Sequence, residues 1–313
     1  MGMGPIDERD ISASGAVPQV LPRAGWVRVR SGCWVPPESR VVVDPVARHR
    51  ILLEASIRRM SAEGAVSHQS AAVLRGLPVW GYSLDRVHVT RRHIREGQRG
   101  RYVRVHCAPY RDDETDEIDG MRTLSAQRTV VDLARCGPPH AVVATGDAAA
   151  QRFSVTRREL RAALGYAVGR QGYHTALRVL DLIDGRSESV GESRSRMIMA
   201  DARLPEPELQ TIVLDETGRS IGRVDFCFPD FGVIGEFDGG FEYGCTMTPD
   251  ADPSAVIQRE KRREAQLRDL GWQVVRWTWL DLDKPDLLTA RLRRALTAGT
   301  NPAGAILRAP RPD

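Results

Sequence analysis

Lysine is almost missing from this chain: Lys261 and Lys284 are the only two among 45 basic residues, so arginine carries the positive charge. Arginine grips phosphate with a planar, two-pronged donor set, although base composition in a GC-rich genome produces the same bias. Against 41 acidic residues the formal net charge is only +4, compatible with nucleic-acid contact but not diagnostic of it. Long apolar runs are missing too. No stretch approaches the roughly 18 residues of a membrane span, and the opening MGMGPIDERD lacks the basic and apolar regions of a secretory leader. These absences point to a cytoplasmic protein with no membrane partner. The five cysteines (Cys33, Cys107, Cys136, Cys227 and Cys245) are odd in number and scattered. No Cys-x-x-Cys or Cys/His pair stands at zinc-ligand spacing, which leaves them as reduced packing residues. No internal repeat is evident.

What is present is enough for two domains, since 313 residues exceed the roughly 150 of a typical domain. The chain is 42% hydrophobic and 27% charged, ordinary values for a globular protein with a full core. Alternating apolar and Arg positions from Trp26 to Trp34, around Ser31-Gly32, predict a hairpin. Helical spacing of Val46, Ile51, Leu52 and Ala55 predicts a helix from Pro45, and Ser67 can cap a second over His68 to Leu74. Arg86–Thr90 and Arg101–His106 alternate as strands, and the acidic stretch Arg111 to Asp119 reads as a surface loop. Helices are expected after Ser125, over 140–152, after the capping box Thr156-Arg-Arg-Glu159, and from Tyr173 to Ile183. Asp132 and Asp147, on two of these helices, read as structural acids.

At Arg186-Ser-Glu-Ser the rhythm changes. A helix (Ser189 to Ala202) precedes three strands, Leu209–Leu214, Ile221–Phe228 and Gly232–Phe237. A long helix (Ser254 to Leu270) and a last strand (Trp272 to Trp279) follow. The expected division is therefore 1–45, 46–186, 187–300 and a tail over 301–313.

The chemistry-bearing residues concentrate in the third of these segments. Glu236 and Asp238 stand one residue apart at the end of an apolar strand, and the period of two puts both on one face. Asp225 lies in the preceding strand, and the short link Pro229-Asp-Phe-Gly232 favours antiparallel pairing, so three carboxylates can converge. Unpaired carboxylates on a half-buried sheet repel and are costly to desolvate; a hard divalent cation, Mg²⁺ or Mn²⁺, relieves both penalties. Equally, these acids can form ion pairs with Arg223 or Arg263. Glu192 can face the cation or, through Ser189-Val-Gly-Glu192, cap its own helix. On the long helix, Val256, Leu267 and Leu270 mark the buried stripe. Glu260 and Arg263 fall inside it, with Lys261 beside it. They can serve the carboxylate cluster or simply pair with each other.

In this order and on these elements, Gly191-Glu192, Arg223-Val-Asp-Phe, Gly235-Glu-Phe-Asp-Gly, Glu260-x-x-Arg263-x-x-x-Leu267 and Gly271-Trp-Gln-Val-Val-Arg276 resemble the PD-(D/E)XK endonuclease superfamily. The subgroup is the one related to very-short-patch repair endonucleases, and the resemblance covers about the last 120 residues. It implies a mixed sheet flanked by helices and Mg²⁺-dependent phosphodiester hydrolysis. Asp225 and Glu236 would be metal ligands, Asp238 and Glu192 auxiliary ones, and Lys261 or Arg263 would assist catalysis alongside Glu260. The motif here reads Glu-Phe-Asp where the superfamily has Glu-x-Lys, so the water-orienting lysine is not at its usual place. The subgroup's alternative lysine position, near Tyr243, has Glu242 beside it.

The earlier part of the chain is similar to the AbiEi family of type IV toxin–antitoxin antitoxins. The similarity rests on Val66-Ser-His-Gln-Ser-Ala-Ala-Val-Leu-Arg-Gly-Leu77, on Arg128-Thr-Val-Val-Asp-Leu-Ala-Arg135, and on Ala148-Ala-Ala with Thr156 and Leu160. It implies an α+β region that begins as a winged helix and binds DNA, with Arg23, Arg28 and Arg30 facing phosphate. The segment before the wing is short and contains Pro18 and Pro22. The expectation is thus an α/β protein. Its antitoxin-like α+β region, with a small winged-helix-like start, precedes a restriction-endonuclease-like domain in a phage-defence setting. DNA and a cognate toxin are the expected partners. The alternative is a catalytically inactive DNA-binding regulator built on the same fold.

Overall fold

Period-two alternation and capping signals produce a mixed α/β architecture of open sheets and flanking helices. In the computed structural model the described residues are 6–7, 25–30, 32–36, 44–57, 64–93, 96–239 and 253–310, with backbone alone for 6–7 and 253–257. The chain divides into two compact units, Met1–Thr145 with Val155–Asp181, and Gly146–Ser154 with Leu182–Asp313. Among the described residues no helix is long and apolar enough to cross a membrane.

In the first unit, β1 (Ile6–Asp7), β2 (Val27–Arg30) and β3 (Cys33–Val35) form a three-stranded antiparallel sheet. The expected hairpin turns at Gly32, whose φ of 78° is left-handed. Helix α1 (Pro45–Ile57) buries His49, Leu52, Leu53 and Ser56, so Val46, expected on the inner face, lies exposed. A six-stranded mixed sheet follows: β4 (Gly64–Val66), β5 (Val87–Arg91), β6 (Gln98–Arg99), β7 (Val103–Cys107), β8 (Thr115–Ile118) and β9 (Met121–Leu124), in the order β6-β7-β5-β4-β9-β8. The acidic stretch is not simply a loop. Its residues 115–118 pair with β9 across Asp119-Gly120, both at positive φ, as a two-residue hairpin turn requires. Asp-Gly is the local signal for this turn, and the acidic residues of β8 beside it are exposed.

Around this sheet stand α2 (His68–Leu74), α3 (Ala126–Ala134), α4 (Pro139–Phe153), α5 (Arg157–Leu164) and α6 (Tyr173–Leu180). Ser125 caps α3, its hydroxyl accepting from the Arg128 N–H at 3.2 Å. The Thr156/Glu159 capping box forms in both directions. Ser67 is the N-cap of α2 but makes no side-chain cap bond. Asp132 accepts from the fully buried Arg128, whose guanidinium lies 3.3 Å from the Tyr166 ring centroid.

The second unit is built on a five-stranded sheet of order β13-β12-β11-β10-β14, formed by β10 (Glu208–Leu214), β11 (Ser220–Phe228), β12 (Val233–Phe237), β13 (Gln273–Trp277) and β14 (Ala305–Leu307). Only β12 and β13 run parallel; β11 and β12 pair antiparallel, with Phe226 opposite Gly235. One face packs on α7 (Val190–Asp201) and α10 (Pro285–Ala298) through Ile198, Met199, Phe226, Phe228, Val233, Val275, Trp277, Leu288 and Leu292. The other packs on α8 (Pro253–Asp269), where Leu267 meets Val224, Cys227 and Ile234. The short α9 (Trp279–Leu282) leads into α10. Three elements, α9, α10 and β14, go beyond the sequence reading. Helix α10 places Leu288, Leu292, Ala295 and Leu296 at helical spacing in the core, and the expected tail supplies β14, paired with β10. Asp147, from the stretch of α4 counted in this unit, accepts from the Ser193 hydroxyl (2.7 Å), the Arg196 guanidinium (2.8 Å) and the Asp184 N–H (2.7 Å), a structural role.

Trp277 anchors the sheet: it is 1% exposed, packs against Phe226 with the rings tilted and their centroids 5.3 Å apart, and donates its indole N–H to Ser195 at 2.7 Å. Gly235 makes room for it, since a Cβ there would sit 2.5 Å from the indole ring. Gly235→Ala is therefore expected to destabilise the protein by about 1–3 kcal/mol through overpacking, read as a lower denaturant midpoint at unchanged slope.

Candidate active site

The same ladder that buries Trp277 positions the carboxylates on the opposite face. On β12, Ile234 turns toward α8, and the period of two sends Glu236 and Asp238 the same way. The β11–β12 pairing runs through Phe226 and Gly235. Carried one step further, it would set Asp225 opposite Glu236. At that point a side chain takes over the ladder: the Asp225 carboxylate accepts the Phe237 N–H at 2.9 Å. Asp225 and Glu236 are thus neighbours on one face, as their strands predict.

Glu192 joins them from the first turn of α7. It serves as a cap and faces the site as well, the two readings left open by the sequence. Its carboxylate accepts from the Ser189 hydroxyl (2.7 Å) and the Glu188 N–H (2.9 Å), and its own N–H donates to Ser189. The amide of Gln210 donates to Glu192 at 2.9 Å and to Asp225 at 3.4 Å, bridging the two acids. Gln210 was not singled out from the sequence. Its backbone signal, φ of 50° in the middle of β10, is invisible there. A non-glycine residue in that conformation persists only where its surroundings over-determine it.

Glu192 and Glu236 are each 8% exposed. Burial, reinforced by the charge of Asp225, pushes the Glu192 carboxyl up to about 7. Burial also lifts Glu236 to about 7; the Arg263 guanidinium pulls it down and Asp225 pushes it up. Asp225 is likewise raised by burial, in spite of the bonds from Phe237 and Gln210. The charge of Asp225 therefore works against ionisation of both glutamates in a dry setting.

Helix α8 supplies the counter-charge. Arg263 donates to Glu236 at 3.2 Å, to Glu260 at 2.7 Å and to the Arg223 carbonyl at 2.9 Å. The two readings of the Glu260/Arg263 pair are both realised. Lys261 is exposed and makes no ion pair with a described residue; at 100° per residue it lies 200° around the helix from Arg263, so both cannot face the sheet. Arg223 leaves Asp225 aside and makes a two-pronged pair with Glu188.

Asp238 departs from the expected cluster. Its carboxylate engages Arg276 of β13 at 3.3 Å, and Arg276 also donates to Glu260 and forms an ion pair with Glu264. The parallel register places Arg276 beside Glu236, and its side chain draws Asp238 away. Accordingly, no three carboxylates among the described residues bring one oxygen each within 4.8 Å of one another. The donor set fits a hard divalent cation in kind, with desolvated oxygen ligands that carry excess negative charge when ionised. Closing it requires Arg263 to yield Glu236.

Of the arginines expected at phosphate, Arg23 and its surroundings lie outside the described residues, as do Glu242 and Tyr243. Arg30 donates to the Ala55 carbonyl (3.0 Å) and the Ser56 hydroxyl (2.8 Å), tying the hairpin to α1. Arg28 donates to the Arg30 carbonyl and lies 5.6 Å from the Trp34 ring centroid.

No protein-family profile matches the chain. It is similar to two uncharacterized proteins of Mycobacterium tuberculosis, MT2308 of strain CDC 1551 / Oshkosh and Rv2248 of strain H37Rv, each 33% identical over 180 residues. The match covers 57% of this chain and 63% of each relative, so the chain spans less than two thirds of their length. A crystal structure of the RV2827C protein from Mycobacterium tuberculosis aligns with a TM-score of 0.37 at 18% identity, covering 57% of this chain and 72% of that one. At that level nothing about fold or function carries over.

The raised carboxyls make a pH prediction. Because the folded-state value of Glu192, about 7, exceeds the ordinary value of 4.5, its stability contribution is full below 4.5 and is lost as pH rises to about 7. Glu192→Gln keeps one of the two acceptor oxygens and removes the charge. It should raise the melting temperature at pH 8, by on the order of 1–3 kcal/mol of stability, and be neutral near pH 4. Equal effects at both pH values would contradict this electrostatic account.

Proposed function

We propose that the second unit is a Mg²⁺-dependent phosphodiester hydrolase domain of the restriction-endonuclease kind, acting on DNA. The first unit is then an antitoxin-like regulatory region of the same cytoplasmic protein. One observation carries this reading: Asp225 and Glu236, brought side by side on a dry sheet face, both have raised carboxyls and an α8 guanidinium standing over them. Asp225 and Glu236 would hold the cation, with Glu192 as the third oxygen donor. Mg²⁺, or Mn²⁺, supplies phosphate polarisation and activation of water at such sites. Gln210 fixes the carboxylates of Asp225 and Glu192 in orientation. Arg263 would offer its fork to a phosphate oxygen, with Glu260 keeping it aligned. Lys261, on the far side of α8, has no part in this scheme.

A second reading has its own support: a DNA-binding regulator of a type IV toxin–antitoxin or phage-defence system whose nuclease fold no longer cleaves. Asp238 stands where the superfamily has its lysine, and Arg276 neutralises it, while Arg263 does the same for Glu236. Incubating the purified chain with DNA and Mg²⁺ or Mn²⁺ separates the two. Under the first, the wild type cleaves and the Asp225→Ala, Glu236→Ala double variant loses at least about 100-fold; undiminished cleavage in that variant would falsify it. Under the second, calorimetry detects no Mn²⁺ binding, and DNA is retarded in gels with an affinity that falls as salt rises.

A further inference from the structure

The first unit contains a cluster of metal-ligating side chains that the proposed nuclease chemistry does not use. We propose that His68, His88 and His106 form a centre for a borderline divalent cation, zinc foremost, with three imidazole ligands and a fourth position open to water. One ring nitrogen from each residue lies within 4.8 Å of the other two, and this is the one such group among the described residues.

The geometry follows from strand pairing across long sequence gaps. Strands β5 and β7 run parallel with His88 opposite Arg104 and Thr90 opposite His106. His88 and His106 are therefore two residues apart in register and share a face, while Val87, Val89 and Val105 are buried on the other. Strand β4 pairs antiparallel with β5, and the Ser67 N–H donates to the His88 carbonyl at 3.0 Å. That bond delivers His68, the first residue of α2, beside the other two. His68 holds a left-handed φ of 52°. A non-glycine residue accepts such strain mainly at functional positions.

The nitrogens are sorted as ligand sites usually are. His106 Nε2 lies 3.1 Å from His88 Nδ1, close to the roughly 3.3 Å between two nitrogens on a tetrahedral zinc with Zn–N bonds of about 2.05 Å. The opposite edge of His88 is held by the Gln69 side-chain amide at 2.9 Å, and His68 Nδ1 by the Ser67 hydroxyl at 3.0 Å. Such outer partners orient the rings of metal-bound histidines. They leave His88 Nδ1, His106 Nε2 and His68 Nε2 for the cation. The proton that His88 Nδ1 and His106 Nε2 now share moves to His88 Nε2, and Gln69 turns its carbonyl oxygen to receive it. The His68 and His106 rings, stacked with centroids 3.8 Å apart, must tilt to converge.

Burial, with the charges of neighbouring His and Arg104, keeps the rings neutral, the form that ligates: His88 is lowered to about 2, His106 to about 4 and His68 well below the ordinary value. Arg104, Arg128 and Arg135 oppose a cation here, and Asp132 favours one. Soft thiolates are not among the ligands, so imidazole-preferring zinc or cobalt fits better than a hard ion such as Mg²⁺.

The test is titration of the full, chelator-stripped chain with Co²⁺ and then Zn²⁺, in excess Mg²⁺ to mask the acidic site. The expected result is one equivalent per chain, visible d–d bands of four-coordinate cobalt without thiolate charge transfer, and displacement by zinc. His106→Asn, at the most accessible ligand, should weaken binding by about 100-fold or more, and Gln69→Leu, which removes no ligand, by about 10–100-fold. Asp225→Ala should leave the cobalt spectrum unchanged, separating this centre from the nuclease reading. A wild-type chain that takes up no cobalt, or a folded His106→Asn variant with the wild-type spectrum and affinity, would overturn the proposal and leave the three histidines as polar packing.

Discussion

The guanidinium of Arg263 is the contact on which the second unit's chemistry turns. It joins α8 to the sheet by reaching Glu236 on β12 and the Arg223 carbonyl on β11, with Glu260 of its own helix steadying it. Without a positive charge over that face, Glu236 and Asp225 would meet each other's charge in a setting too dry to screen it. Arginine suits the place because its five donors serve three acceptors at once and it stays charged when half-buried. The same bond withholds Glu236 from a cation. Stability of the resting site and readiness to bind metal therefore pull on one carboxylate in opposite directions.

The carboxylates stand where they do because of what lies beneath them. Trp277 fills the opposite face of β13, Gly235 yields space to it, and Ser195 of α7 accepts its indole N–H. Packing on one face thereby fixes the register that presents Asp225, Glu236 and Arg276 on the other. Gln210 adds a local constraint, a strained backbone in β10 whose amide bridges acids from α7 and β11. The first unit uses arginine differently. Arg128 and Arg30 turn inward, to Asp132 and to the end of α1, and act as structural ties. An abundance of arginine is thus a poor count of phosphate contacts.

The sequence by itself determined most elements and the shared face of Asp225 and Glu236, because capping boxes and period-two alternation are local and survive in any tertiary setting. It also contains the Asp119-Gly120 turn and the apolar spacing of α10, because turn chemistry and helical periodicity are local as well. Only the tertiary structure decided which acids remain together. Asp238 shares the parity of Glu236 but is drawn off by Arg276, a residue 38 positions later in the chain. Gln210 enters the site through a backbone conformation that no residue pattern announces, and Lys261 and Arg263, two residues apart in sequence, are separated by the turn of their helix. The three histidines of the first unit show the same limit: residues 68, 88 and 106 carry no ligand spacing, and parallel pairing of β5 with β7 is what gathers them. Ion-pair choice and long-range strand register depend on which side chains the whole fold brings within reach, and that is set by packing.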